Sequence, residues 1–291
     1  MIEKAVIPAA GLGTRLLPIT KELPKEMLPL YSTEANGEVV LKPLLHMVFE
    51  QIYDVGIREF CFIVGRGKRA IEDYFTPDEN FLENLRQRSK TFYVNLLRTF
   101  YNKVSKSTLV WINQDKPLGF GDAVLRSRPF VSNKPFIVHA GDVYIYSPNN
   151  HHLKKLIETF DEYSASCVFF TKRVENPRLY GVAVIEKEVE DRVYKIKRVI
   201  EKPKQPPTNL AIVAVYAFSP KIFDYLDKTP LGPRGEKELT DAIQLLIEEE
   251  GDAYSIELGE KDFWLDIGNP KSYWSAIELS YKLALNKGEI Y

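Results

Sequence analysis

The chain has 291 residues, with 39 Lys plus Arg against 40 Asp plus Glu and a formal net charge of −1. That balance excludes a nucleic-acid coat or a polybasic membrane binder, because both need a large positive field. No apolar stretch approaches the ~18 residues of a membrane span, and residues 1–6 carry Glu3 and Lys4 and lack the architecture of a secretory leader.

In chain order, residues 5–7 form a short apolar strand that enters a Gly-rich loop. Residues 41–55 carry Leu44, Leu45, Val48, Phe49 and Ile52 at helical spacing, and Gly56 is the stop. Residues 60–64 read as a buried strand, 69–75 as a helix, 109–112 as a strand, 122–126 as a helix start and 136–138 as a strand. Strands alternating with helices predict parallel βαβ units, and their unbroken apolar character predicts a sheet covered on both faces. Residues 180–189, 194–200 and 210–218 read as strands with few helices between them, an antiparallel extension of the same sheet. Helices follow over 239–250 and 271–285; in the second, Trp274, Ile277, Tyr281 and Leu285 predict a core-facing stripe. The expected fold class is α/β, a doubly wound mixed, mainly parallel sheet with an antiparallel extension, in one domain over residues 1–291. There is no hexapeptide repeat and hence no appended β-helix. Cys61 and Cys167 lie in apolar runs and read as buried small hydrophobes of a reducing, cytoplasmic setting.

The loop Ile7-Pro8-Ala9-Ala10-Gly11-Leu12-Gly13-Thr14-Arg15 can turn tightly and bring N–H groups to an anion. A dinucleotide fingerprint would require glycine at position 16, where Leu stands, and a Walker loop would require Gly-Lys-Ser/Thr. Alone, the two glycines are equally a plain turn. The continuation Pro24-Lys25-Glu26-Met27-Leu28-Pro29 holds a cation between two rigid prolines, a device suited to phosphoryl transfer.

Residues 4–29 closely resemble the start of sugar-1-phosphate nucleotidylyltransferases, and within them the bacterial-type UTP–glucose-1-phosphate uridylyltransferases. Further stretches carry the resemblance along nearly the whole chain: Gly65-Arg66-Gly67-Lys68-Arg69, Gly119-Phe120-Gly121-Asp122-Ala123-Val124-Leu125, Glu201-Lys202-Pro203-Lys204 and Leu239-Thr240-Asp241-Ala242. The resemblance implies a Rossmann-like nucleotidyltransferase fold whose antiparallel extension binds the sugar. It also implies that UTP and glucose 1-phosphate give UDP-glucose and pyrophosphate. The sugar phosphate is already ionised, so in-line attack needs no general base, only positioning and charge stabilisation. This suits a chain with only four histidines, His46, His139, His151 and His152. None stands in a nucleophile or metal pattern, and His151 and His152 read as surface residues at a helix start.

The resemblance assigns catalytic roles to Arg15, Lys25 and Asp142. Arg15 would grip the leaving phosphates, and Lys25 would bridge the reacting ones. It assigns nucleotide binding to Ala10, Gly11, Gly13, Thr14, Glu26, Gln114, Gly119 and Asp142. Gly181, Glu201 and Lys202 would take the sugar phosphate. Mg²⁺ is the expected cofactor, held by Asp142 and Asp266, since this ion often takes only one or two carboxylates besides phosphate oxygens. A Gln114 amide can donate or accept, so by itself it does not choose a pyrimidine. A homodimer or homotetramer is expected, with no nucleic-acid or membrane partner.

The chain departs from the family at Gly235-Glu236-Lys237-Glu238-Leu239-Thr240, at Val215-Tyr216 and at Trp264-Leu265-Asp266, the last resembling thymidylyltransferases. A thymidylyl or broad-specificity enzyme therefore stays open. So does a non-catalytic nucleotide-sugar sensor, although a sensor has no need of Lys25, Asp142, Lys202 and Asp266 together. Charge is also uneven: residues 84–106 carry +6 and residues 236–252 carry −6. These read as solvated helix faces, or as complementary patches between subunits.

Overall fold

The computed structural model describes residues 2–286. The chain opens with β1 (Lys4–Pro8), three short 3₁₀ turns (Thr14–Leu16, Ile19–Lys21, Lys25–Met27) and a hairpin of β2 (Pro29–Thr33) and β3 (Val39–Pro43). Then come α1 (Leu44–Asp54), β4 (Glu59–Val64), α2 (Arg69–Tyr74), α3 (Glu79–Gln87), α4 (Thr91–Ser105) and β5 (Thr108–Asn113). They are followed by α5 (Phe120–Arg126), α6 (Arg128–Val131), β6 (Phe136–His139), β7 (Val143–Tyr146), α7 (His151–Glu162) and β8 (Cys167–Arg173). The chain continues through β9 (Val182–Glu190), β10 (Val193–Ile200), β11 (Leu210–Phe218), α8 (Ile222–Lys228) and α9 (Leu239–Glu250), and ends with β12 (Ala253–Glu257), β13 (Phe263–Asp266) and α10 (Pro270–Leu285).

Nine strands form one sheet in the order β5-β4-β1-β6-β11-β8-β12-β10-β9. The first four are parallel. Beyond β6 the pairing is antiparallel except for β12 on β8. The expected mainly parallel sheet is thus parallel over β5-β4-β1-β6 and at β12–β8, and antiparallel elsewhere. The reason is that β11 enters beside β6 in the opposite direction and the hairpin β9–β10 follows its own turn. A contact of Ala211 with Val182 brings β9 back against β11, so the extension curls on itself.

Alternate residues of the strands face opposite cores. Ile7, Phe60 and Phe62 pack with α1, α4 and α7, whereas Val6, Cys61 and Ile63 pack with α5, α8 and α9. That alternation is how a strand with no polar face is satisfied. Both cysteines are free and buried, and burial pushes the Cys61 thiol up to about 12. Among the described residues no helix is long and apolar enough to cross a membrane.

Two expectations fail. On α10 the stripe holds only at Ile277, which packs against the core: Trp274, Tyr281 and Leu285 are exposed, and Ala276, Ser280, Leu283 and Ala284 face inward. The helix lies close on β2, with the Tyr31 N–H donating to Ser280 Oγ and Thr33 Oγ1 donating to the Ala284 carbonyl, so small residues stand where the backbones approach. His152 is buried, not exposed, because it shares the inward face of α7 with Leu156 and Phe160. Much of the acidic 236–252 block is paired within the chain, through Lys221–Glu250 (2.6 Å), Lys228–Glu249 (2.9 Å) and Arg234 with Glu238.

Candidate active site

After β1 the chain adds β4 and β5 on one side and β6 on the other, so the order reverses between β1 and β6. A crevice opens at the carboxyl ends of strands where such a reversal occurs. The glycine loop leaves β1 at that point and Asp142 follows β6. The two loops are tied together by the Gly141 N–H, which donates to the Pro8 carbonyl at 3.0 Å.

In the glycine loop, Gly13 adopts φ +65°, a left-handed backbone that few side chains tolerate. A Cβ there would lie 3.0 Å from Thr20 Cβ, whose hydroxyl donates to the Gly13 carbonyl at 2.8 Å. Gly11 matters for closeness: its missing Cβ would lie 3.4 Å from Lys25 Nζ. The Lys25 ammonium therefore lies against exposed loop backbone. Thr14 and Arg15 follow on the solvent side of the loop.

Lys25 pairs directly with Asp142, and their side chains keep 16% and 23% of their surface, so a ligand can reach both. Burial works against the Lys25 charge, but Asp142 and Glu26 outweigh it and raise its pKa. Burial likewise works against the Asp142 carboxylate, and Lys25 overrides it to leave the pKa lowered. Glu26 lies beneath the loop, 1% exposed, paired with Lys68 at 2.8 Å, and burial raises its pKa.

Asp266 joins this group through strand register. β13 pairs antiparallel with β7, and Asp266 stands opposite Val143, the residue after Asp142. Its Oδ1 accepts from the Gly268 N–H at 2.9 Å. A Cβ on Gly268 would lie 3.0 Å from that oxygen and 3.3 Å from Arg15 Nη2, so Asp266 and Arg15 border the same glycine. Burial and then the charge of Asp142 raise the Asp266 pKa. Two carboxylates that repel each other across a crevice with basic rims are the donor set a hard divalent cation satisfies. Among the described residues no three His, Cys, Asp or Glu side chains form a closed metal cage, so phosphate or water oxygens would complete the coordination.

Gln114 follows β5, and its N–H extends the parallel ladder to the Val64 carbonyl (2.8 Å). The side chain is buried, with Nε2 donating to Asp122 Oδ2 at 2.8 Å and to the Gly119 carbonyl at 3.1 Å. Ala10 borders the same end of the sheet, where a Cβ on Gly65 would meet its carbonyl at 3.1 Å. Glu201 accepts from Thr240 Oγ1 at 2.8 Å and pairs with Lys202 at 2.7 Å. Lys202 takes φ +38°, and its N–H donates to the Tyr180 carbonyl at 3.1 Å. Gly181 sits tightly between them, with Thr240 Oγ1 and Glu201 Oε2 at 3.0 and 3.2 Å from its virtual Cβ.

The structure thus gathers Gly11, Arg15, Lys25, Asp142 and Asp266 at one crevice, while Gln114 and Glu201 each sit in a cluster of their own. Sequence reasoning gave no role to Lys68, Asp122, Arg126 or Arg234. Lys68 was open to detection, since it stands inside a Gly-x-Gly-Lys turn. The other three pair at helical spacing, Arg126 with Asp122 and Arg234 with Glu238, a common surface pattern that does not by itself mark a site.

The Nucleotidyl transferase family matches residues 4–282. A Methanocaldococcus jannaschii protein provisionally named UTP–glucose-1-phosphate uridylyltransferase is 40% identical over 280 residues, 95% of this chain and 92% of its own length. The Bacillus subtilis UTP–glucose-1-phosphate uridylyltransferase is 36% identical over 250 residues, 85% of this chain and 81% of its own. A UDP-glucose pyrophosphorylase solved with UDP-glucose superposes with a TM-score of 0.82 at 30% identity, covering 97% of this chain and 99% of that one. With the match spanning nearly every described element, the chain belongs to the nucleotidyl transferase family.

Proposed function

We propose that the protein transfers the uridylyl group of UTP to glucose 1-phosphate, giving UDP-glucose and pyrophosphate. The observation that carries the reading is the Lys25–Asp142 pair at the sheet's reversal point, with Gly11 backbone on one side and Asp266 on the other. The names of the full-length relatives support the choice of substrates.

The sugar phosphate oxygen attacks the α-phosphorus in line and pyrophosphate leaves. No proton need be removed, consistent with a site built from cations, carboxylates and backbone amides. Lys25 supplies positive charge that Asp142 and Glu26 keep on the ammonium. Arg15, exposed on the loop, covers the departing phosphates, where a guanidinium can bind two oxygens at once. The N–H groups around Gly11, Gly13 and Thr14 take the remaining oxygens, with Glu26 and Lys68 bracing the loop from below. Gln114, Ala10 and Gly119 meet the base. Glu201 accepts from the sugar hydroxyls, Gly181 lets the ring approach, and Lys202 neutralises its phosphate. Mg²⁺ would be held by Asp142 and Asp266, where it supplies neutralisation and orientation of phosphate oxygens. A homodimer or homotetramer in the cytoplasm completes the proposal.

The test is pyrophosphate release with glucose 1-phosphate and each of UTP, dTTP, CTP, ATP and GTP, with and without Mg²⁺. Mg²⁺-dependent release with UTP is expected. Preference for dTTP would move the assignment to a thymidylyltransferase, and silence with every nucleotide would leave a sensor.

A further inference from the structure

Gln114 has one donor end and one acceptor end, and its surroundings decide which end is free. Its two amide hydrogens point at two oxygens, the Asp122 carboxylate at 2.8 Å and the Gly119 carbonyl at 3.1 Å. Neither oxygen can donate, so a reversed amide would set Oε1 against both and leave its own NH₂ without these partners. Burying such a mismatch costs more than one ordinary hydrogen bond gains.

The two acceptors are themselves fixed. Asp122 is buried in the first turn of α5, and the same Oδ2 accepts from Arg126 Nε at 3.0 Å, one helical turn away. Arg126 is anchored at its other end by Asp115, 2.6 Å from Nη2. Gly119 takes φ +101°, and the loop on either side of it is held by the Lys237 N–H on the Leu118 carbonyl (2.6 Å) and by the Gly121 N–H on the Lys237 carbonyl (2.9 Å). The Gln114 main chain is held by its bond to Val64.

We infer that Asp122 is a positioning residue for base selection: it locks the Gln114 amide so that Oε1 faces the nucleotide as a fixed hydrogen-bond acceptor. Uracil and thymine carry a proton on N3 and pair with an acceptor there. Cytosine has a lone pair on N3 and meets repulsion. The chain therefore discriminates among pyrimidines by a carboxylate that never touches the base. This rests on the reading of Gln114 as the base contact, and it removes the freedom of a lone Gln amide to suit either kind of pyrimidine.

The experiment compares kcat/KM for UTP and CTP, with CTP also measured as a competitive inhibitor against UTP, in wild type, Asp122→Leu, Asp122→Asn and Gln114→Ala. Asp122→Leu removes the acceptor and should lower the UTP-to-CTP preference by about tenfold or more. Asp122→Asn, whose amide oxygen can still accept from both Gln114 and Arg126, should keep most of that preference. The ratio does not depend on the folded fraction. If the leucine variant fails to fold, Asp122→Ser, whose short hydroxyl leaves Gln114 free to reverse, should lower the ratio in the same way. A ratio unchanged in Leu or Ser, with both substrates weakened together, would overturn the inference and leave Asp122 a structural residue. Equal collapse in Asn and Leu would also overturn it. A ratio unchanged in Gln114→Ala would instead overturn the base contact itself.

Discussion

Lys25 is a half-buried cation whose charge is maintained by two carboxylates, one of which also faces the crevice. Lys25→Ala should lower kcat by about 10²-fold or more, because one preorganised contact to developing charge is worth roughly 2.7–4 kcal/mol. Steady-state kinetics over both substrates will check this, and a pure rise in KM for UTP would make Lys25 a binding residue only. At this scale the sequence pointed to Gly11, Gly13, Lys25 and Asp142 through the family resemblance, and the structure sets Lys25 against Gly11 and Asp142. What was not legible is which side chains meet. Nothing near Glu26 announces Lys68, and nothing near Gln114 tells which way its amide points until Asp122 and the Gly119 carbonyl are seen on the same side.

Among the elements, the segment Gly119-Phe120-Gly121 lies backbone to backbone on residues 236–239. The Lys237 N–H donates to the Leu118 carbonyl, and its carbonyl accepts from Gly121 (2.6 and 2.9 Å). A Cβ on Gly121 would stand 2.7 Å from that carbonyl and 3.1 Å from Leu239 N. Gly121→Ala therefore has no flexible side chain to push aside, and should cost about 1–3 kcal/mol of stability. Because Leu239 begins the helix whose Thr240 holds Glu201, KM for both UTP and glucose 1-phosphate should rise. Thermal unfolding and both KM values check the outcome, and an intact UTP KM would separate the base loop from α9. Long periodic elements such as α1, α9 and β11 were readable from pattern. The β2–β3 and β7–β13 pairings were not, since short strands on a separate layer carry little alternation. The α10 stripe misled because small residues stand where the helix meets β2, and Leu283 and Ile277, not Trp274, Tyr281 or Leu285, supply its inward apolar bulk.

For the whole molecule, pH is the lever. His139 and His152 are buried, and burial depresses them from the ordinary 6.5 to about 4 and about 3. Both His152 ring nitrogens lack hydrogen-bond partners among the described residues. Below pH ~6.5 the unfolded chain binds protons that the folded chain refuses, so stability falls with pH from there toward about 4, by up to roughly 1.4 kcal/mol per unit for each ring. His152→Leu, set beside Phe170, should flatten that decline. Urea unfolding at pH 7.5 and pH 5 measures it, and a loss equal to wild type would show that His152 contributes nothing to acid sensitivity.

The pairing of Asp266 with the residue after Asp142 also makes the spacing of the two carboxylates a matter of strand register. Successive side chains of a strand point to opposite faces, so a slip of one residue between β13 and β7 would turn the second carboxylate away from the crevice. In the proposed reaction, the metal site therefore depends on strand pairing as much as on the two acids themselves.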